Sequence, residues 1–221
     1  MHYIDANKLK YNKINTRRLS MWNIIEAAGW PIWLLIYTSI FAVAIVIERF
    51  WSLRTSKVVP TDLFENLKKR ILNNGPRDFK PKELEDIKKN SASGVVLSTA
   101  IANYKLETED LRLSIEQAGK IAANQMSKYL ALLGTVGTVA PLLGLFGTIV
   151  GMVELFESFT SSGASVETFA RGISIALYNT AGGIVVAVPA MIFYRYFKSN
   201  ISNKILLMEN QASEILNIIK K

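Results

Sequence analysis

The sequence predicts an all-α, polytopic membrane protein with three transmembrane helices and long helices extending into the cytoplasm. Three observations carry that prediction. The windows Ala27 to Ile47, Tyr129 to Val153 and Gly172 to Tyr194 contain no Asp, Glu, Lys, Arg or His. Each reaches the roughly 20 residues that a helix needs to cross about 30 Å of hydrocarbon. Two of the windows carry small residues at helical spacing, and outside them apolar residues recur every three or four positions. Core helices of a soluble domain explain the windows less well, because three uninterrupted spans of this length are unusual in 221 residues.

The first span lies in residues 21–50 and ends on Glu48-Arg49. A helical region, 51–128, follows it, then the second and third spans with a short loop, 129–194, and a C-terminal helix, 195–221. Orientation comes from that loop: residues 154–171 hold Glu154, Glu157 and Glu167 against Arg171 alone. Arg112, Lys120 and Lys128 precede the second span, and Arg195, Lys198 and Lys204 follow the third. The positive-inside rule therefore puts the loop in the periplasm and the flanks in the cytoplasm of a bacterial inner membrane, with the N-terminus outside. Lys8, Lys10, Lys13, Arg17 and Arg18 oppose this, so residues 1–20 are read as an extension that a start at Met21 removes. A secretory signal peptide fits less well, since the apolar run is longer than a usual h-region.

Between the first two spans, Pro60-Thr61-Asp62 starts a helix whose apolar face is Leu63, Phe64, Leu67 and Ile71, and Asn73-Asn74-Gly75-Pro76 ends it. Short helical possibilities remain around Leu84 to Lys89, and a helix is expected over Gly94 to Leu106. From Thr108, with Glu109 and Asp110 in the first turn, no strong breaker precedes Gly134. One helix of about 70 Å is expected to run from there to about Phe156. Past Arg195, the residues Ile201, Ile205, Met208, Ala212, Ile215 and Ile219 form a helical seam that can pack on the long helix or on a neighbouring subunit.

Composition excludes several classes of function. The net charge of +8 includes Lys68-Lys69-Arg70 and Lys88-Lys89, but Asp62, Glu65, Glu83, Glu85 and Asp86 are interleaved with them. That pattern is a mixed solvated surface and not a nucleic-acid footprint. Without cysteine there are no disulfides or thiolate metal sites, and His2 is the only histidine. The glycines at 134–137 and 144–151 lack the Gly-Lys-Ser/Thr ending of a phosphate loop. No cluster of nucleophile, base and acid appears, so neither an enzyme nor a bound cofactor or metal is expected.

What remains is polar chemistry inside the apolar spans. One stripe is Gly137, Pro141, Gly144, Thr148 and Gly151; the other is Ala176, Thr180, Gly183, Ala187 and Ala190. Both step by four and three, one helix face each. Gly137, Gly144, Gly147, Gly151, Ala176, Gly183 and Ala187 are read as helix-packing positions, where small side chains let backbones approach in lipid. Thr148, Thr180 and the adjacent Asn179 are candidates for lining a proton path. Pro141 and Pro189 leave carbonyls one turn back without helical donors, adding acceptors to those faces. Glu154 is a possible outer acidic site. Since no group in the stripes titrates, a proton-driven device built on them needs an acid from a partner.

The run Ala140-Pro141-Leu142-Leu143-Gly144-Leu145-Phe146-Gly147-Thr148-Ile149-Val150-Gly151-Met152 resembles the second-span signature of the ExbB/TolQ/MotA proton-channel family. Gly172 to Gly183, followed by Ala187-Val188-Pro189-Ala190, resembles its third span; Ala27 to Trp33 and Ile47-Glu48-Arg49 are similar to its first. The resemblance implies a homopentamer around a dimer of single-span ExbD- or TolR-like proteins, whose intramembrane aspartate carries the proton past threonines at the positions of Thr148 and Thr180. It implies a further TonB-like or TolA-like partner, and three spans favour the ExbB/TolQ branch. Against the family pattern, Ile175 stands where relatives frequently have glutamate, and Arg171 where proline is frequent. A non-conducting scaffold is the rival expectation.

Overall fold

The computed structural model describes residues 28–162 and 166–220, helical throughout their ordered elements and without a strand among them. Three helices are long and apolar enough to cross a membrane, within Pro31–Ser52, Leu130–Glu157 and Gly172–Ile219. The expected fold class, all-α with three membrane spans, is the one observed. The proposed extension over residues 1–20 and the start at Met21 lie outside the described residues.

Helix α1, Pro31–Ser52, starts later than its uncharged window. Gly29 adopts a φ of 74°, which ends any preceding helix, and Pro31 restarts the chain with a preset φ. Next come α2, Thr55–Val58, and α3, Thr61–Asn74, which ends on Gly75 at φ 78°. Helix α4 is Pro81–Asn90, α5 Ala92–Ala102, α6 Thr108–Ser127, α7 Leu130–Ser162 and α8 Val166–Ile219. At about 1.5 Å per residue the 54 residues of α8 extend roughly 80 Å.

The chain divides into two compact units, Met1–Ile36 with Pro141–Ile184, and Tyr37–Ala140 with Val185–Lys221. In the second unit, one core cluster joins Ala42 and Ile45 of α1, Val95 and Val96 of α5, Ala118, Ala122 and Met126 of α6, and the seam residues Ile201, Met208 and Ala212. A satellite cluster gathers Phe64, Leu67 and Ile71 of α3 around Leu97, Ala100, Ile101 and Ile215. The seam at the end of α8 is thus covered within its own chain, on α5 and α6.

Two helix expectations need correction. The helix expected to run unbroken from Thr108 to Phe156 is interrupted at Lys128-Tyr129 and continues to Ser162. In an unbroken helix the Met126 carbonyl accepts from the Leu130 amide. Here it accepts from Nη1 of buried Arg49 at 2.8 Å, and that guanidinium lies 5.2 Å from the Tyr129 ring. The helix expected to reach Leu106 stops at Ala102, and the Lys220 ammonium donates to the carbonyls of Tyr104 and Leu106 beyond it.

Helix α5 is buried over nearly its whole length, which requires neighbours on every side. Ser91 caps it, accepting from the Gly94 amide at 3.0 Å. A Cβ at Gly94 would lie 2.1 Å from the Ile87 carbonyl oxygen, so only glycine lets α4 and α5 meet at this point.

Candidate functional site

In the first unit, α7 and α8 approach through glycine. A Cβ added at Gly144 would stand 2.7 Å from the Asn179 backbone oxygen and 3.2 Å from Gly183 Cα. At Gly147 it would be 2.7 Å from Asn179 Cγ, whereas at Gly151 the nearest atom, Ala176 Cβ, is an ordinary 3.6 Å away. The close contact therefore centres on Gly144 and Gly147, and Gly151 only borders it.

The contact brings two hydroxyls together. Thr148 Oγ1 lies 2.5 Å from Thr180 Oγ1, 3.0 Å from the Ala176 carbonyl and 3.2 Å from that of Gly144. Each threonine has one proton to donate. All groups are best served when Thr180 donates to Thr148 and Thr148 donates to a carbonyl, Ala176 being nearer. The pair then forms a short directed chain of hydrogen bonds that leaves the Thr180 oxygen able to accept from outside.

Asn179 is the more deeply placed polar group, 1% exposed, while both threonines are half-buried. Its Nδ2 donates to the Ala28 carbonyl at 2.9 Å, just before the Gly29 turn. Only the amide nitrogen can serve that acceptor, which fixes the orientation of the side chain and leaves Oδ1 buried without a partner. The buried line on α8 consequently runs Ala176, Asn179, Gly183, with Thr180 at its rim. The stripe read from the sequence shares Ala176 and Gly183 with this line; the buried face is turned only slightly from it, enough to take in Asn179 and leave Thr180 at the edge.

The other expected positions are dispersed. Gly137 faces Met191 and Ala187 is buried, both in the second unit. Glu154 is exposed, six residues past Thr148, which on a helix is about 9 Å along the axis and a third of a turn around it. It is therefore not part of the hydroxyl cluster. The side chains of Arg171 and Ile175 lie outside the described ones. Arg49, which holds the joint between α6 and α7, was missed in the sequence because its carbonyl partner is 77 residues away.

Comparison with known proteins adds two findings. The sequence profile of the MotA/TolQ/ExbB proton channel family matches residues 86–210, a stretch that contains α5, α6, α7 and the two threonines. The chain is also similar to the biopolymer transport protein "ExbB-like 3" of Synechocystis sp., at 30% identity over 188 residues, covering 80% of this chain and 84% of that protein.

Proposed function

Since this chain belongs to the MotA/TolQ/ExbB proton channel family and is a multi-pass membrane protein, we propose that it is an ExbB-like subunit of an inner-membrane motor driven by the proton-motive force. In this reading a homopentamer surrounds an ExbD-like single-span partner and, through a TonB-like protein, energises transport across the outer membrane. The periplasmic loop, the cytoplasmic helices and the C-terminus inside follow from the charge pattern. The observation that carries the reading is the Thr148–Thr180 pair at 2.5 Å.

Both spans are uncharged around that pair, so it can pass or orient a proton but cannot store one. A partner carboxylate supplies the titrating group, and the half-buried hydroxyls form the polar wall it meets. Each proton crossing 100 mV releases about 2.3 kcal/mol, so a few protons suffice for mechanical work on the envelope. Proton flux into vesicles containing the chain and its single-span partner tests this. Flux is expected, and it should vanish when the partner's intramembrane acid is replaced by its amide. No flux from the intact complex would instead leave a scaffold, and dependence on a TolA-like protein would assign envelope constriction.

A further inference from the structure

Lys204 is a buried cation of the second unit with no counter-charge among the described residues. Its residue is 5% exposed, its ammonium donates to Asn200 Oδ1, and among the described residues it forms no ion pair. An isolated buried cation is destabilising, so its retention needs an explanation. The surrounding pocket provides one. A cavity of about 320 Å³ is lined by Thr55 of α2 and by Tyr196, Ser199, Asn200, Asn203, Lys204 and Leu207 of α8. Apart from leucine every lining side chain can donate a hydrogen bond, and no carboxylate is among them. Of the three ammonium N–H groups, Asn200 takes one. Such a pocket is complementary to an anion with several acceptor oxygens.

Its position selects the source of that anion. The uncharged window of α8 ends at Tyr194, and Arg195 and Lys198 follow. At that level Phe50 lies 5.1 Å from Phe197, 5.8 Å from Phe193 and 5.9 Å from Tyr196, and neighbouring Trp51 is 71% exposed. Phe193 and Phe197 belong to the apolar core, while the exposed rings of Tyr196 and Trp51 are of the amphipathic kind that sits at the headgroup level of a bilayer. Tyr196 belongs both to that cluster and to the pocket. By reaching Asn200, one turn towards the N-terminus of α8, Lys204 directs its charge back towards the membrane. We propose that the Lys204 pocket binds the phosphodiester headgroup of an anionic phospholipid from the leaflet at the Arg195 end of α8.

Native mass spectrometry of the full chain, carried in mixed micelles of equal phosphatidylglycerol and phosphatidylcholine, tests the proposal. Wild type should retain phosphatidylglycerol preferentially, and Lys204→Met should lose about five-fold of that preference, the factor that one basic group contributes at an anionic surface. Arg54→Gln, which removes an exposed charge beside the pocket, should change it less. If Lys204→Met does not fold, Ser199→Ala with Asn203→Ala, both at exposed positions, gives the same comparison. Equal retention by wild type and the pocket variant overturns the proposal, and so does an equal loss in Arg54→Gln, which marks diffuse attraction. Displacement of the lipid by millimolar inorganic phosphate assigns the pocket to a free anion instead. A carbodiimide cross-link from Lys204 to a carboxylate of another chain assigns it to a protein contact, likewise against a lipid.

Discussion

The hydroxyl oxygens of Thr148 and Thr180, 32 residues apart in sequence, stand 2.5 Å from each other across the α7–α8 contact. Neither side chain can be replaced without altering the hydrogen bonding of the other. Thr148→Val, Thr180→Val and the double variant are expected to lower proton flux by a similar factor, at least about tenfold, which corresponds to about 1.4 kcal/mol in barrier height. Non-additivity of this kind is the signature of groups acting as a unit. Full independent effects that multiply in the double variant would show that the pair is not one element of the path. Serine at either position keeps the hydroxyl and should retain most of the flux.

The glycines of α7 should differ in tolerance according to what lies in front of them. Gly144→Ala drives a Cβ onto the Asn179 backbone and Gly147→Ala onto its side chain, each within 2.7 Å, while Gly151→Ala meets ordinary contact at 3.6 Å. Overpacking of this kind costs about 1–3 kcal/mol. Thermal unfolding in detergent should rank Gly151→Ala near wild type and the other two clearly below it. A Gly144→Ala variant as stable as Gly151→Ala would contradict the close approach.

Arg49 ties the end of α1 to the joint of α6 and α7. Its Nε and Nη2 pair with Glu48 at 2.5 and 2.7 Å while Nη1 holds the Met126 carbonyl. Arg49→Met removes a charge-assisted hydrogen bond, and a loss of about 1.5–3 kcal/mol is expected. Hydrogen exchange should accelerate at residues 126–130 more than in α5. Uniform acceleration throughout the chain would argue against a local staple.

A pH effect is expected at the turn after α3. Hydrogen bonds from Arg70, then from Asn74, hold the Asp78 carboxyl below its ordinary range, and Arg70 also lies 4.3 Å from the Phe79 ring. A lowered folded-state value means that the stabilisation is present above the unfolded value, near 3.9, and disappears as pH falls through the folded one. The turn at residues 75–79 should therefore become more protease-sensitive on acidification below about pH 4, with little change between neutral pH and 5. Because these groups are exposed the effect is small, and salt should reduce it. Asp78→Asn should be sensitive at every pH.

The sequence by itself determined the three spans, the helix from Thr61 to Asn74 and the small-residue character of the α7 and α8 faces. Those follow from local rules: hydrocarbon rejects charge over about 20 residues, Gly75 can adopt a positive φ, and periodicity marks a face. The tertiary structure alone decided that Asn179 and not Thr180 occupies the buried line, and that the two hydroxyls come within hydrogen-bond distance of each other. It also decided that Arg49 marks the end of α6 and that Lys204 is enclosed with polar neighbours. Each of these depends on how one helix is turned against its neighbour, or on a residue distant in the chain, and local spacing encodes neither. The stripes identified the faces; the packing of one helix on another chose which atoms on those faces meet.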